Sequence, residues 1–226
     1  RYKLLLPSDT RTLYASTCSG YPDGNIQSQI RYNMTLVTPK TREELPDMEP
    51  IFNMVETSMG FVPTSMLTMA HWPELLQTFG AFAGNVLNDG ELEPGLKQLI
   101  AFVISNAAGC RYCQAHTSHS AAKRGVSIEK IKAAFVFESS DLFDEAERAA
   151  LRVALHAGLV PNAVSPDHMA ELNKHFTARE SVEIVAVISL FGYLNRWNDT
   201  MASTLEDVPV SFASENLPTW DIGKHG

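Results

Sequence analysis

The stretch Leu92-Glu-Pro-Gly-Leu-Lys-Gln-Leu-Ile-Ala-Phe-Val-Ile-Ser-Asn-Ala-Ala-Gly-Cys-Arg-Tyr-Cys-Gln-Ala-His116 decides how this chain is read. Its first half has the marks of a helix. Pro94 suits a first helical turn, where its missing N–H is not needed, and Gly109 suits the exit. Leu99, Ile100, Phe102, Val103 and Ile104 leave the segment apolar on most sides, which predicts a central, buried helix. Cys110 and Cys113 then open a second helix, predicted over Tyr112 to Arg124 and closed by Gly125.

Outward from this stretch the pattern stays helical. Leu45, Met48, Ile51, Phe52 and Val55 predict a helix over 43–59, ended by Gly60. Pro73 starts another, before Leu75, Leu76, Phe79 and Phe82. A short helix follows Ser127, a clean amphipathic one covers 144–157 before Gly158, and Ser165-Pro166 opens one over 167–176. Thr177-Ala-Arg-Glu180 is a capping box ahead of a long helix over 181 to about 205. Residues 1–40 differ: rich in Ser, Thr, Gly, Pro and Asn, they predict an irregular N-terminal arm, with extended chain at most over 30–37. The expected class is all-α, with 41–226 as the helical domain and its core at about 45–205.

Composition narrows the function. The net charge of −8 leaves no basic footprint for nucleic acid or an anionic membrane surface. The longest apolar run, Ile184 to Leu194, is interrupted by Ser189 and Gly192 and is too short to span a bilayer. The opening Arg1-Tyr-Lys-Leu-Leu-Leu-Pro7 lacks the apolar length of a signal peptide. Three Cys, two of them in one C-x-x-C and the third at Cys18, are no secreted disulfide framework. A cytoplasmic location is expected. Charged residues make up only 19%, which suits a chain that buries surface in a homo-oligomer.

The dithiol is the candidate chemistry. At the start of a helix both sulfurs fall near one face, beside unpaired N–H groups and the positive dipole end, which favour a thiolate. One thiolate attacks a peroxide or a disulfide and the other resolves the product into a disulfide. His116, one turn past Cys113, is the candidate general base. Tyr112 is a candidate hydrogen-bond donor to a bound oxygen. His119 has rotated away by about 60° per three-residue step and is secondary. Arg196, in the polar cluster Asn195-Arg-Trp-Asn-Asp199, is secondary too; that cluster also reads as a solvated helix end with an Arg196–Asp199 pair, with Trp197 at a subunit contact. A C-x-x-C can instead be half a zinc site, but His116 and His119 on the same straight helix do not wrap a tetrahedral ion. It can also be two small buried fillers. The neighbouring His favours redox chemistry, with no metal and no cofactor.

Gly109-Cys-Arg-Tyr-Cys-Gln-Ala-His116, the helix Leu96 to Ala108 before it, Ser127-Ile-Glu-Lys-Ile-Lys-Ala133 and Leu194-Asn-Arg-Trp-Asn-Asp199 together resemble the AhpD-like, or carboxymuconolactone decarboxylase, superfamily, in its peroxidase-related branch. The resemblance implies an AhpD-like helical bundle that assembles as a dimer, trimer or hexamer. It also implies thiol-dependent peroxidase or thiol–disulfide oxidoreductase activity on a hydroperoxide or other small molecule, with a thioredoxin-like or lipoyl dithiol as reductant. It further implies a relay of a Glu twelve residues before the first Cys and a His four after the second. Here those positions hold Gln98 and Thr117, with His116 beside the latter. Gln98 cannot carry a proton but can orient a water or His116. The competing expectations are a cofactor-free decarboxylase-like enzyme acting on a lactone-type metabolite, and a non-enzymatic redox-sensing helical oligomer.

Overall fold

The computed structural model describes residues 35–88 and 90–226; Cys18 and most of the predicted arm lie outside them. Among the described residues there are ten α-helices and no strand. They are α1 Glu49–Met59, α2 Thr64–Met69, α3 Pro73–Leu87, α4 Pro94–Ala108, α5 Arg111–Lys123, α6 Ile128–Ala133, α7 Glu145–Ala157, α8 Pro166–His175, α9 Ala178–Met201 and α10 Asp207–Asn216. The all-α class is correct. None of these helices is long and apolar enough to cross a membrane.

The sequence places α4 at the centre, and there it is: every residue from Gly95 to Ser105 is buried, and α5, α7 and α9 pack around it. The caps follow from local chemistry. Glu93 accepts the Leu96 N–H at the start of α4, and Gly109 closes it with φ 77°, a left-handed turn that costs glycine little. Capping boxes at Asp144/Glu147, Ser165/His168 and Thr177/Glu180 start α7, α8 and α9.

Three boundaries differ from expectation. The helix predicted over 43–59 begins only at Glu49, after two single-turn 3-10 helices, Arg42–Glu44 and Pro46–Met48. Pro46 and Pro50 remove N–H donors, so an α-helix starts only where Pro50 falls in its first turn. The long helix stops at Met201, short of 205, because Ala202 turns left-handed (φ 49°) and the chain runs on to Leu205, whose N–H bonds the His225 carbonyl at 2.8 Å. Residues 35–37, the described end of the segment 30–37, form no strand; they meet the C-terminal end of α9, with the Leu36 N–H on the Met201 carbonyl at 2.9 Å.

One buried charge pair ties the body together. Lys97, on α4, is 1% exposed; its Nζ donates to the carbonyls of Val86 and Asn88 and lies 3.0 Å from Glu183 Oε2 on α9. Glu183 also accepts the N–H groups of Glu91 and Leu92 and the Arg179 Nε–H. A Cβ at Gly90 would overlap the Glu183 carboxylate, so a larger residue there has to push this hydrogen-bonded side chain aside.

The apolar interior forms two clusters. The larger surrounds α4 and takes in Cys110, Tyr112 and Cys113. The smaller joins Leu45, Met48, Phe52, Met66, Met69 and Leu76 around α1, α2 and the start of α3. A cavity lies where these helices face α5.

Candidate active site

Cys110 is the N-cap of α5, and its Sγ accepts the Cys113 N–H at 3.4 Å. The Cys113 N–H at this helix start therefore serves the Cys110 sulfur. The two sulfurs are not bonded to each other, and both are buried. Burial, then the neighbouring Cys110, pushes the Cys113 thiol well above its ordinary range, against a hydrogen bond from Asn198 Nδ2 at 3.5 Å. Cys113 in the resting state is thus a protonated thiol that needs a base.

A cavity of about 280 Å³ opens on Cys113, bounded by α1, α2, α3, α5 and α9. Its walls are mostly apolar, with Met54, Met66, Phe79, Leu87, Phe191 and Leu194 among them, and Lys123 and Arg124 stand at its exposed edge. Gln98, Tyr112 and His116 also line it. Phe79 and Phe191 line it, whereas Phe102 and Phe137 are core and Phe82 and Phe135 are exposed.

His116 does not hydrogen-bond the Cys113 sulfur. Its Nε2 lies 2.6 Å from Glu206 Oε2, and its ring stacks on Tyr112 with centroids 4.3 Å apart. Glu206 Oε1 accepts the Thr64 N–H at 2.5 Å and the Tyr112 hydroxyl at 2.9 Å. Burial would raise the Glu206 carboxyl, but the adjacent His116 and the Thr64 N–H outweigh it and hold it below the usual range. Glu206 is therefore an acceptor at both oxygens, and His116 must donate from Nε2. That leaves the Nδ1 lone pair of a neutral imidazole as a base. Nδ1 has no hydrogen-bond partner among the described residues, and the ring faces the same cavity as Cys113.

The predicted residues do not all meet. Gln98, Cys113, His116 and Tyr112 share the cavity, and Cys110 lies behind it. The Tyr112 hydroxyl is not available to a bound oxygen, because Glu206 and the Ser65 N–H (3.4 Å) hold it. Thr117 bonds back to the Cys113 carbonyl inside α5. His119 turns to Phe212, 5.5 Å between centroids, away from the cavity. Arg196 is exposed, bonds the Gly192 carbonyl and lines an outer groove with Tyr193 and Trp197; Asp199 pairs with Lys224 and His225 instead. A helix face that spacing alone leaves ambiguous is fixed here by Asn195 and Asn198 turning inward. Sequence reasoning missed Glu206 and Asn198. No spacing marks them: Glu206 reaches His116 from ninety positions along the chain.

The sequence pattern of the carboxymuconolactone decarboxylase family matches residues 73–156, which span α3 to α7. The debrominase Bmp8 has 39% sequence identity and a TM-score of 0.76, over 80% of this chain and 97% of Bmp8; one of its structures is a Cys-to-Ala variant in complex with 2,3,4-tribromopyrrole. A peroxidase-related protein of Ralstonia eutropha JMP134, with an alkylhydroperoxidase AhpD core, has 25% identity and a TM-score of 0.68, over 77% of this chain and 93% of that one. The Escherichia coli (strain K12) protein YnjA is 32% identical over 119 residues, 53% of this chain and 63% of YnjA, so the chain spans less than two thirds of that relative. Decarboxylase, peroxidase-related and debrominase enzymes share this family ground. By the matched pattern, and by the 39% identity to Bmp8 over nearly all of Bmp8's length, the chain belongs to the carboxymuconolactone decarboxylase family, within the AhpD-like superfamily.

Proposed function

We propose that the protein is a dithiol-dependent oxidoreductase of peroxidase type that reduces a small, largely apolar substrate in the cavity over Cys113. The observation that carries this reading is the set of three around one space: the Cys113 thiol, the His116–Glu206 pair beside it, and the Cys110 sulfur behind it. His116 Nδ1 takes the Cys113 proton. The thiolate attacks the distal oxygen of an organic hydroperoxide; an S–O bond forms and the O–O bond breaks. The alkoxide takes the proton back from His116 and leaves as an alcohol. Cys110 attacks the resulting sulfenic acid, closing the disulfide and releasing water. A partner dithiol, of thioredoxin or lipoyl type, restores both thiols by exchange, which suits a reducing, cytoplasmic setting.

A second substrate class has its own support in the likeness to Bmp8 and in the apolar walls. On a carbon–bromine bond the Cys113 sulfur would take the bromine, the carbon would take a proton, and Cys110 would displace bromide as the disulfide forms. The cysteines are oxidised and the substrate reduced by the same two electrons in both cases.

The test is anaerobic single turnover of the reduced protein with cumene hydroperoxide and, separately, a brominated pyrrole, reading alcohol or bromide and the disulfide. Cys113→Ser is expected to abolish product with either compound, and Cys110→Ser to give one turnover that ends in a trappable Cys113 adduct. Product formation by Cys113→Ser at the parent rate overturns the reading. Repeated turnover with a dithiol reductant separates an enzyme from a redox sensor.

A further inference from the structure

Behind the dithiol lies a cluster that the cavity does not reach. Cys110 Sγ, an Asp199 carboxylate oxygen and a ring nitrogen of His225 all lie within 4.8 Å of one another. His225 sits in the 3-10 turn Gly223–His225 and is 1% exposed. Its carbonyl accepts the Leu205 N–H, and its Nδ1 lies 2.8 Å from the Ser203 carbonyl. A carbonyl can only accept, so Nδ1 carries the hydrogen and a neutral ring has its lone pair on Nε2. That lone pair faces Asp199 Oδ1 at 3.2 Å, an acceptor against an acceptor. The arrangement becomes favourable when a proton arrives on Nε2, and the Cys110 thiol is the proton source within the cluster.

We propose that His225, backed by Asp199, is the proton acceptor of Cys110 and holds this second thiol ready as the thiolate that closes the disulfide. The inference rests on the dithiol reading above. The Cys110 proton moves to His225 Nε2, where Asp199 accepts its hydrogen bond. The thiolate attacks the oxidised Cys113 sulfur, an S–S bond forms and an S–O bond breaks. The hydroxide departs on the cavity side and takes a proton from solvent there, and His225 gives its proton up to solvent as the site resets, so the overall product is water. The site would thus use two separate proton carriers, His116 for Cys113 and His225 for Cys110.

The other charged groups fit this division. Lys224 Nζ lies 3.5 Å from Asp199 Oδ1 and draws on the same carboxylate. Arg111 is paired outward with Asp221. Burial keeps the Tyr112 hydroxyl, on the ring 5.8 Å from His225, far above its usual range and therefore neutral. Glu206 is turned to His116. Burial also lowers the His225 imidazole, with Ser203 and Asp199 opposing it, so the ring draws no proton from solvent at neutral pH and the proton it holds is the one Cys110 gives it.

The experiment titrates Cys110 alone. In the full chain carrying Cys18→Ser and Cys113→Ser, the ultraviolet thiolate absorbance is followed against pH in the presence of a chelator, with and without His225→Gln. Glutamine keeps a donor for the Ser203 carbonyl but cannot take a proton. The thiolate midpoint is expected to rise by at least about one pH unit, tenfold in proton affinity. An unchanged midpoint overturns the proposal, as does a midpoint that depends on added zinc instead of on His225. If His225→Gln does not fold, nuclear magnetic resonance titration of His225 with and without Cys110→Ser replaces it; independence of the two groups overturns the proposal. No substrate enters these titrations, so their failure leaves the cavity reading standing, and failure of turnover leaves the titration result standing.

Discussion

Replacing Glu206 with glutamine changes one oxygen for an NH2 group and almost nothing in shape. The carboxylate now accepts the Thr64 N–H and the Tyr112 hydroxyl at Oε1 and the His116 Nε2–H at Oε2. A glutamine has one acceptor end. Two donors at the Oε1 side claim it, which turns the NH2 group toward His116 Nε2 and makes that nitrogen the acceptor. The hydrogen of a neutral His116 then moves to Nδ1, and the base disappears from the cavity. Loss of a positioned general base costs about 100- to 10,000-fold in rate. Stability should change far less, by about 0.5–1.5 kcal/mol, because the buried hydrogen bonds are rearranged and not orphaned. The Glu206 carboxyl titrates lower in the folded chain than its ordinary 4.5, so its contribution to stability is present above pH 4.5 and fades as the pH falls through the folded value. The stability gap between Glu206→Gln and the parent should therefore close in acid. Anaerobic stopped-flow oxidation of the reduced protein reads the rate, nitrogen-15 resonance of labelled histidine reads the tautomer, and thermal unfolding against pH reads stability. A variant with the Nδ1–H tautomer and an undiminished rate would refute the assignment of His116 as base.

Other outcomes follow from the same geometry. Gln98→Glu should raise the turnover rate little or not at all, because His116 already has a carboxylate partner; a large gain would mean that position 98 limits the relay, and a substrate-rate comparison decides it. Gly80 lines the cavity from α3 with open space beyond its Cα, so Gly80→Leu should fill the cavity and raise KM, while helix propensity stabilises the fold by about 0.5–1 kcal/mol. Steady-state kinetics together with thermal unfolding separate the two effects. Glu183, held at a pKa of about 2 against 4.5, contributes at most about 3 kcal/mol, and less in practice because Arg179, its first partner, is exposed. Its folded value is depressed, so that stability is full above pH 4.5 and is lost as the pH falls from there toward 2. The stability of Glu183→Gln should fall less between pH 4.5 and 2 than that of the parent, which weakens steadily there; denaturant unfolding at a series of pH values, followed by circular dichroism, reads it.

Elements set by neighbours along the chain are legible in the amino-acid sequence alone. The buried α4, its exit at Gly109, the dithiol at the start of α5, the helix start at Ser165 and the capping box at Thr177 all arise within a few residues, where turn geometry and hydrogen-bond reach act directly. The dithiol with His116 was legible for the same reason. What local spacing could not supply was the partner of each reactive group. At position 98 the chain holds an amide, and the carboxylate that orients His116 is Glu206, brought in after Ala202 turns the chain left-handed. The helix start predicted to favour a thiolate gives its N–H to Cys110, while burial holds Cys113 protonated. Arg196 and Asn198, two residues apart, are sent to opposite sides of α9, one to solvent and one to Cys113. Proton chemistry depends on distances of about 3 Å between side chains remote in sequence, and only the packing of helices against one another sets those distances.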